Sequence, residues 1–399
     1  MLTLFVTSEE FFSLTININN LNKKTMKKLL LLAAAAVAFG ASAQTLTQMW
    51  KVEIANNLPV GDCRQGVGMN GKVYVNNKAD QKVYVVDKDG VSATTLPGGA
   101  NCGIGHDQAG NLLVSNAAFP GKWADDAVIK VYKPQTPENV TEITITADLA
   151  GMGRSDFLGS AMGDFSADGQ MYLVGGNESN TGLGKLVVTD GATNADECFM
   201  AIVDNKANPV STSGITQFFI DGVNEKYLLM NRSGSPCIIY EEGSELVTEK
   251  AMTLQDRGTC NGGDIVVLGG KRYVAYPTIP NYKDGFAIAN IDAEPVVTED
   301  NKSYIPFVVE HKAELTANSN TFQANFVNVE KVSETEAIIY QYVPGAYTAA
   351  YSFKLPAEQT GINDVNAAKD VKVRKVYENG QVYIIKGDVK YNVMGAQVK

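Results

Sequence analysis

The chain has 399 residues and a formal net charge of −10, with 44 acidic side chains against 34 lysines and arginines. An acidic chain without a basic block argues against nucleic acid and against anionic membrane surfaces as partners. Five cysteines and only two histidines leave little material for thiol or imidazole chemistry.

The first 43 residues have the pattern of an export leader. Met26-Lys27-Lys28 is followed by an apolar run over 29–39 and then by Ala41-Ser42-Ala43. This order of a basic start, a short apolar segment and an Ala-x-Ala cleavage site is typical of a secretory signal peptide. We predict a mis-assigned gene start at 1–25, a signal peptide at 26–43 and export to the periplasm, the outer surface or the extracellular space. No later segment has the roughly 18 apolar residues of a membrane helix.

Residues 44–355 repeat one unit made of short strands. In its clearest copy a strand at 66–69 turns at Asn70-Gly71 into strands at 72–76 and 82–87. Asn-Gly supplies the positive φ values of a two-residue hairpin turn, and the flanking residues alternate with the period of half-buried strands. Five further copies begin near Gly103, Ala161, Gln217, Gly263 and Ala324.

Six units of about 50 residues each predict a β-propeller. A single small sheet cannot bury both of its faces, whereas radial stacking buries each sheet against its neighbours. The segment 49–54 precedes the first unit and is predicted to complete the last blade and close the ring. We therefore predict an all-β fold with six blades preferred, seven blades as the alternative count and a pair of β-sandwiches as the competing fold.

The composition changes after the propeller region. Residues 356–370 are small and polar and predict a linker, and residues 371–399 predict a small β-module. Turn signals at Asn379-Gly380 and Lys386-Gly387-Asp388 separate three strands in this module, which are expected at 371–377, 381–385 and 391–398.

The motifs of this module resemble the C-terminal sorting domains of proteins exported by the type IX secretion route. They are the segment 375–385, the sequence Tyr391-Asn392-Val393-Met394-Gly395 and the terminal Val398-Lys399. The resemblance implies that the export machinery is a partner of this module. A β-module that caps or associates with the propeller is the alternative. The body is similar to uncharacterised secreted propellers with such tails, which implies no activity.

The sequence offers little for catalysis or for metal binding. A Ser-His-Asp or Cys-His site would need His106 or His311, and no nucleophile-elbow pattern accompanies either. The turn Asp87-Lys88-Asp89-Gly90 is similar to the start of a calcium loop but lacks the distal glutamate, and hairpin turns account for such residues. We predict no metal and no cofactor, with calcium as the alternative. The cysteines form no CxxC pair, and export permits one or two disulfides beside buried thiols.

Candidate ligand-binding residues fall into two groups. Polar side chains in or just before the inner strands converge on the central channel, and they are Arg64, Asn101, His106, Arg154, Arg257 and Asn261. Connections between second and third strands contain Trp123 and Tyr282. Arginine forks bind carboxylates, and aromatic rings stack on sugars. The alternative is that the arginines join blades through Asp164, Asp264 and carbonyls, while the aromatic rings pack on blade edges.

These residues predict an exported noncatalytic binding or scaffold propeller with a glycan or a surface protein as ligand. The alternative is a polysaccharide lyase or glycoside hydrolase that uses Asp, Glu, Tyr or Arg. A glycosidase of this kind needs two carboxyl groups about 5–10 Å apart across a pocket, a spacing that no sequence pattern reveals. Binding is preferred over catalysis because no motif requires an enzyme.

Overall fold

A computed structural model describes most of the chain between Gln44 and Pro356. The described ranges are 44–59, 61–100, 103–115, 127–145, 158–176, 181–200, 202–203, 217–220, 226–230, 235–243, 245–257, 262–278, 285–312 and 325–356, with the short strands at 2–3 and 15–16 and the four tail strands given below. The chain divides into two compact units, Ala43–Pro356 and a second unit made of Met1–Ser42 with Ala357–Lys399.

The larger unit is a six-bladed β-propeller, as the sequence predicts. Its blades are antiparallel sheets whose strands follow chain order from the inside outwards. Blade one contains Gly66–Met69, Lys72–Asn77, Lys82–Asp87 and Gly90–Ser92. Blade two contains Ile104–His106, Leu112–Ser115, Val128–Tyr132 and Thr141–Thr144. Blade three contains Met162–Asp164, Asp168–Gly176, Thr181–Thr189 and Ala192–Thr193, followed by the short 3-10 helix Ala195–Glu197 and by Phe199–Met200, which pairs with the third strand.

The second half of the ring follows the same order with two additions. Blade four contains Gln217–Ile220, Lys226–Met230, Cys237–Glu242 and Glu245–Ala251, and Ile202–Val203 pairs in parallel with its outer strand. Blade five contains Asp264–Leu268, Lys271–Pro277, Phe286–Asn290 and Phe307–His311, with a hairpin of Val296–Val297 and Ser303–Tyr304 between its third and outer strands. Blade six contains Phe326–Lys331, Glu336–Val343, Tyr347–Lys354 and Thr45–Glu53.

The N-terminal strand of the propeller closes the ring. Thr45–Glu53 is the outer strand of blade six, and it pairs antiparallel with Tyr347–Lys354 from Thr45 opposite Lys354 to Glu53 opposite Tyr347. The predicted role of the segment 49–54 is confirmed. Because the first and last strands share one sheet, the ring is held by main-chain hydrogen bonds rather than by side-chain packing alone.

The hydrophobic core lies between neighbouring blades, and close approach of the inner strands explains their glycines. A Cβ atom at Gly68 would lie 2.1 Å from the ring of Tyr340 in blade six. A Cβ atom at Gly105 would lie 2.1 Å from the carbonyl oxygen of Gly159, which precedes blade three. No side chain fits at such distances, so these inner strands need glycine to pack against the next blade.

The two ends of the ring differ in how the strands are connected. The turns between inner and second strands, such as Asn70-Gly71 with φ values of 54° and 78°, lie at one end, which we call the turn face. The second strands end and the third strands begin at the opposite end, for example at Ser115 and Val128 in blade two and at Pro277 and Phe286 in blade five. We call this end, where the inner strands also begin, the loop face. Antiparallel order within each blade produces this division.

The tail contains a separate four-stranded antiparallel sheet. Its strands are Val373–Glu378, Gln381–Lys386, Val389–Asn392 and Gln397–Val398. The prediction of one strand over 391–398 was wrong, because that stretch contains two strands that pair with each other, with Lys390 opposite Val398. Residues 393–396 between these two strands lie outside the described residues.

Candidate functional site

Two of the candidate arginines lie on the loop face. Arg64 precedes the inner strand of blade one, and Arg257 belongs to the segment that leads into the inner strand of blade five. Both side chains are half-buried, and the Nε atom of each is buried. Each guanidinium is therefore held against the protein along one side.

Blade six fixes the segment that contains Arg64. The hydroxyl of Tyr342 donates a hydrogen bond to the carbonyl oxygen of Cys63 at 2.6 Å. The ring of Tyr342 also packs on Gly66, where an added Cβ would lie 2.8 Å from it. In the sequence Arg64 thus lies between Cys63 and Gly66, and both of these residues contact Tyr342 of blade six.

The segment of Arg257 is paired with the base of the 279–284 connection. Arg257 and Thr278 form an isolated antiparallel bridge. The amide of Thr278 donates to the carbonyl oxygen of Gly285 at 3.3 Å, and the side-chain amide of Asn325 donates to the same oxygen at 2.9 Å. The two ends of the connection that contains Tyr282 are therefore joined to each other, to Arg257 and to blade six.

A second buried asparagine holds the segment that leads into blade two. The side chain of Asn76 accepts from the amide of Gly99 at 3.0 Å and donates to its carbonyl oxygen at 3.4 Å. The amide of Ser115, just before the 116–126 connection, donates to the carbonyl oxygen of Gly103 at 3.3 Å. The end of the second strand of blade two therefore lies against this segment.

His106 lies nearer the other end of the channel. It is the last residue of the inner strand of blade two, directly before the turn at 107–110. Its Nε2 atom is 3.4 Å from the hydroxyl of Ser160, and its Nδ1 atom is 3.2 Å from the carbonyl oxygen of Asp107. The structure therefore brings Arg64 and Arg257 to one face and places His106 apart from them.

The carboxylates near the axis join blades to each other. Asp107 accepts from the amide of Phe165 at 2.8 Å, and Asp164 accepts from the side-chain amide of Asn111 at 2.8 Å, so both link blades two and three. Asp264 accepts from the amide of Val329 at 2.9 Å and links blades five and six. The alternative drawn from the sequence had arginines pair with Asp164 and Asp264, whereas these bonds join the blades through amide donors.

Burial dominates the electrostatics of Asp264. Loss of water raises the pKa of its carboxyl to about 6, and the hydrogen bonds from Val329, Ile265 and Asn328 act in the opposite direction.

One joining residue was not assigned a role from the sequence. Gln65 is buried, its side-chain oxygen accepts from the amides of Ile104 at 3.0 Å and Leu158 at 3.2 Å, and its nitrogen donates to the carbonyl oxygen of Leu158 at 2.9 Å. It joins blade one to blade two and to the segment before blade three. A glutamine directly before a glycine-rich inner strand is the only local signal of this role.

The remaining candidate residues stay predictions from the sequence. Outside the described residues lie Asn101, Trp123, Arg154, Asn261 and Tyr282. The cysteines Cys102 and Cys260 lie outside them as well, while Cys63, Cys198 and Cys237 are buried thiols.

The acidic turn of blade one has a structural role. Asp87 accepts a hydrogen bond from the amide of Asp89 at 2.9 Å, which is the turn chemistry expected there. Within the ranges that the structure describes, no group of three or more His, Cys, Asp or Glu side chains is placed to hold a metal ion. In the same ranges no helix is long and apolar enough to cross a membrane.

Comparison with known proteins adds evidence for the fold. No protein-family model matches the chain, and no curated protein matches it in sequence. The crystal structure of a DUF4623 family protein from Bacteroides eggerthii is similar over 75% of this chain and 72% of that chain, with 12% identity and a TM-score of 0.50. Fainter similarity extends to a subtype N10 neuraminidase-like protein of A/little yellow-shouldered bat/Guatemala/060/2010 (10% identity, 79% and 99% covered, TM-score 0.44) and to a gluconolactonase from Xanthomonas campestris (10% identity, 79% and 95% covered, TM-score 0.41). At such identities similarity concerns the fold alone, and the chain is a β-propeller whose activity these proteins do not define.

Proposed function

We propose that the chain is an exported, noncatalytic binding propeller that holds a glycan on its loop face. The observation that carries this proposal is the bridge between Arg257 and Thr278. It joins an arginine of the channel rim to the base of a connection that contains Tyr282. A guanidinium donor near the base of a connection whose sequence contains an aromatic residue suits a sugar chain, which offers both hydroxyl groups and apolar ring faces.

The use of the axial carboxylates supports binding rather than hydrolysis. Asp107 and Asp264 are buried and accept hydrogen bonds from backbone amides of the next blade. A glycosidase needs one carboxyl group that gives or takes a proton and a second that faces it across the substrate. Carboxylates that hold blades together are poorly placed for either role.

Export is proposed from the leader and from the tail. The signal peptide predicted at 26–43 and the sorting-like module at 371–399 both indicate a location beyond the inner membrane. N-terminal sequencing of the protein from cells should start at Gln44. Recovery of the uncleaved chain from the cytoplasm alone would contradict this part of the proposal.

The binding proposal is tested with the mature chain, residues 44–399, on a glycan array and in solution with the polysaccharides that it binds. We expect retention of at least one glycan and no release of new chain ends. Unsaturated or shortened products would establish the lyase or hydrolase alternative. Failure to bind any glycan would overturn the proposal and leave a surface protein as the ligand to seek.

A further inference from the structure

The two loop-face arginines flank the same end of one blade. Phe326 and Tyr342 face each other on the inner and second strands of blade six, at the loop-face end. On one side of this pair, the hydroxyl of Tyr342 holds the carbonyl oxygen of Cys63, next to Arg64. The position of Arg64 is thus set by blade six.

On the other side, blade six contacts the segment that contains Arg257. A Cβ atom at Gly262 would lie 2.7 Å from the carbonyl oxygen of Asn325 and 2.9 Å from the Cα atom of Phe326. Asn325 also holds Gly285, which is hydrogen-bonded to Thr278, the bridge partner of Arg257. The start of the inner strand of blade six is therefore the common support of both arginine segments.

The charge of this region favours short-range recognition. Arginine stays protonated at any physiological pH, and its planar fork matches a carboxylate in a bidentate geometry. Asp62 and Asp256 are close to the two arginines in the sequence and formally balance their charges on a chain of net charge −10. The net charge of the chain repels an anion at long range, so attraction must come from direct contact with the guanidinium groups, where screening by salt is weakest.

We infer that the ligand is an acidic glycan whose uronic-acid carboxylates bind Arg64 and Arg257 on the two sides of blade six. This inference rests on the proposed function and names the chemical class of its glycan. A polymer with a carboxylate on successive sugars presents anionic groups at repeated positions, so one chain can contact both arginines. A neutral glycan has no carboxylate, which is the group that the guanidinium groups of Arg64 and Arg257 fit.

The experiment compares each acidic polymer with its own uncharged form. Polygalacturonate, alginate and hyaluronate are measured against the mature chain beside their methyl-esterified forms, which keep the sugars and remove the charge. Hydrogen bonds to charged groups contribute about 1.5–3 kcal/mol each, so esterification should weaken binding by about 10-fold or more. Equal affinity for an acid and its ester would overturn the inference and leave glycan binding intact.

Variants of the two arginines locate the effect. Arg64→Gln and Arg257→Gln should each weaken binding of the acidic polymer by about 10-fold more than binding of its ester. Lys88→Gln, an exposed change in the turn between the third and outer strands of blade one, is the matched control for the loss of one positive charge. Thermal unfolding of each variant confirms that the propeller is folded.

Each outcome separates the two proposals. Loss of charge selectivity in both arginine variants, with Lys88→Gln unchanged, supports the acidic-glycan inference. Unchanged selectivity in both variants overturns it. Binding of neutral glycans alone overturns the inference and supports the proposed function, while binding of no glycan overturns both.

Discussion

On the turn face, the buried Asp107 and Asn111 of blade two and the half-buried Asp164 of blade three form one hydrogen-bonded cluster between two blades. On the loop face, Asn76 and Asn325 are equally buried, but Asn76 holds the segment that leads into blade two and Asn325 holds Gly285 at the start of the third strand of blade five. The same residue types therefore have different roles on the two faces. A substitution on the turn face should lower stability alone, whereas one on the loop face should also lower ligand affinity.

The largest expected effect comes from the packing that both faces share. Gly105→Ala places a Cβ atom 2.1 Å from the carbonyl oxygen of Gly159, and a backbone oxygen cannot move aside as a flexible side chain can. We expect the free energy of unfolding to fall by more than about 3 kcal/mol in urea denaturation. Ligand affinity should fall only in proportion to the unfolded fraction.

Gly110→Ala is the matched control in the turn that follows the same strand. Gly110 has a φ of +83° and open space where a Cβ would lie, so the cost is backbone strain alone, about 1 kcal/mol. Equal losses in the two variants would show that close approach between blades is not the reason for Gly105.

The second prediction breaks the cluster on the turn face. Asp107→Ala removes the acceptor for the amides of Asn111 and Phe165 and for the side chain of Asn111, at 2.6–2.8 Å. The side chain of Asn111 keeps Asp164 as an acceptor, so two backbone amides lose theirs at about 1–3 kcal/mol each, and we expect a total loss of about 2–6 kcal/mol in thermal unfolding. Affinity of the folded variant for the glycan should match that of the wild type. A weaker affinity of the folded variant would contradict the prediction that substitutions on the turn face lower stability alone.

The third prediction concerns Asp264, the first residue of the inner strand of blade five. Its pKa is raised to about 6 by burial, against about 3.9 in an unfolded chain. Between these values the folded protein binds the proton more tightly, so this group adds stability as the pH falls from about 7 to about 4. The difference is up to about 3 kcal/mol.

Asp264→Asn removes this contribution and should flatten the dependence of stability on pH in that window. Carboxyls whose pKa is lowered, such as Asp164 and Asp292, make the protein less stable as the pH falls. Because the variant and the wild type share these groups, their contribution cancels in the difference between the two proteins. The measurement is urea denaturation at pH 4, 5, 6 and 7. Parallel curves for variant and wild type would show that Asp264 does not titrate differently in the folded state.

The smallest expected loss of stability is on the loop face, but it comes with a loss of binding. Asn325→Ala removes the donor to Gly285 at 2.9 Å and the acceptor for Gln341 at 3.2 Å, with an expected cost of about 1–2 kcal/mol. Because Gly285 ends the 279–284 connection, we expect glycan affinity to fall several-fold. Asn328→Ala, three residues further along the same strand, is the control that should change stability and leave affinity alone.

The blades were predictable because their signals are local. Asn70-Gly71 specifies a hairpin without help from the rest of the chain, and alternation over 72–76 assigns the faces of the strand. The closing strand was predictable because a strand without a neighbour in sequence needs one in space. The contacts of Gln65 with Leu158 and of Tyr342 with Cys63 were not predictable, since they join residues far apart in sequence with no local pattern.

The same limit applies to the candidate site. The sequence identified Arg64 and Arg257 as residues of the rim, because both precede inner strands. It did not show that blade six supports both, since that depends on Asn325 and Tyr342, which the sequence presents as ordinary strand residues. Contacts between blades therefore decide which rim residues act together.

The strand Thr45–Glu53 also determines when the protein can finish folding. Its partner Tyr347–Lys354 is the last propeller strand to be synthesised. Thr45–Glu53, the first propeller strand to be synthesised, therefore cannot pair until the rest of the propeller has been made. Contacts between the two ends of a chain are slow to form because closing the long loop between them costs conformational entropy. Until then blade six has an open edge that other chains can pair with, so chains truncated at either end of the ring should aggregate rather than fold with five blades.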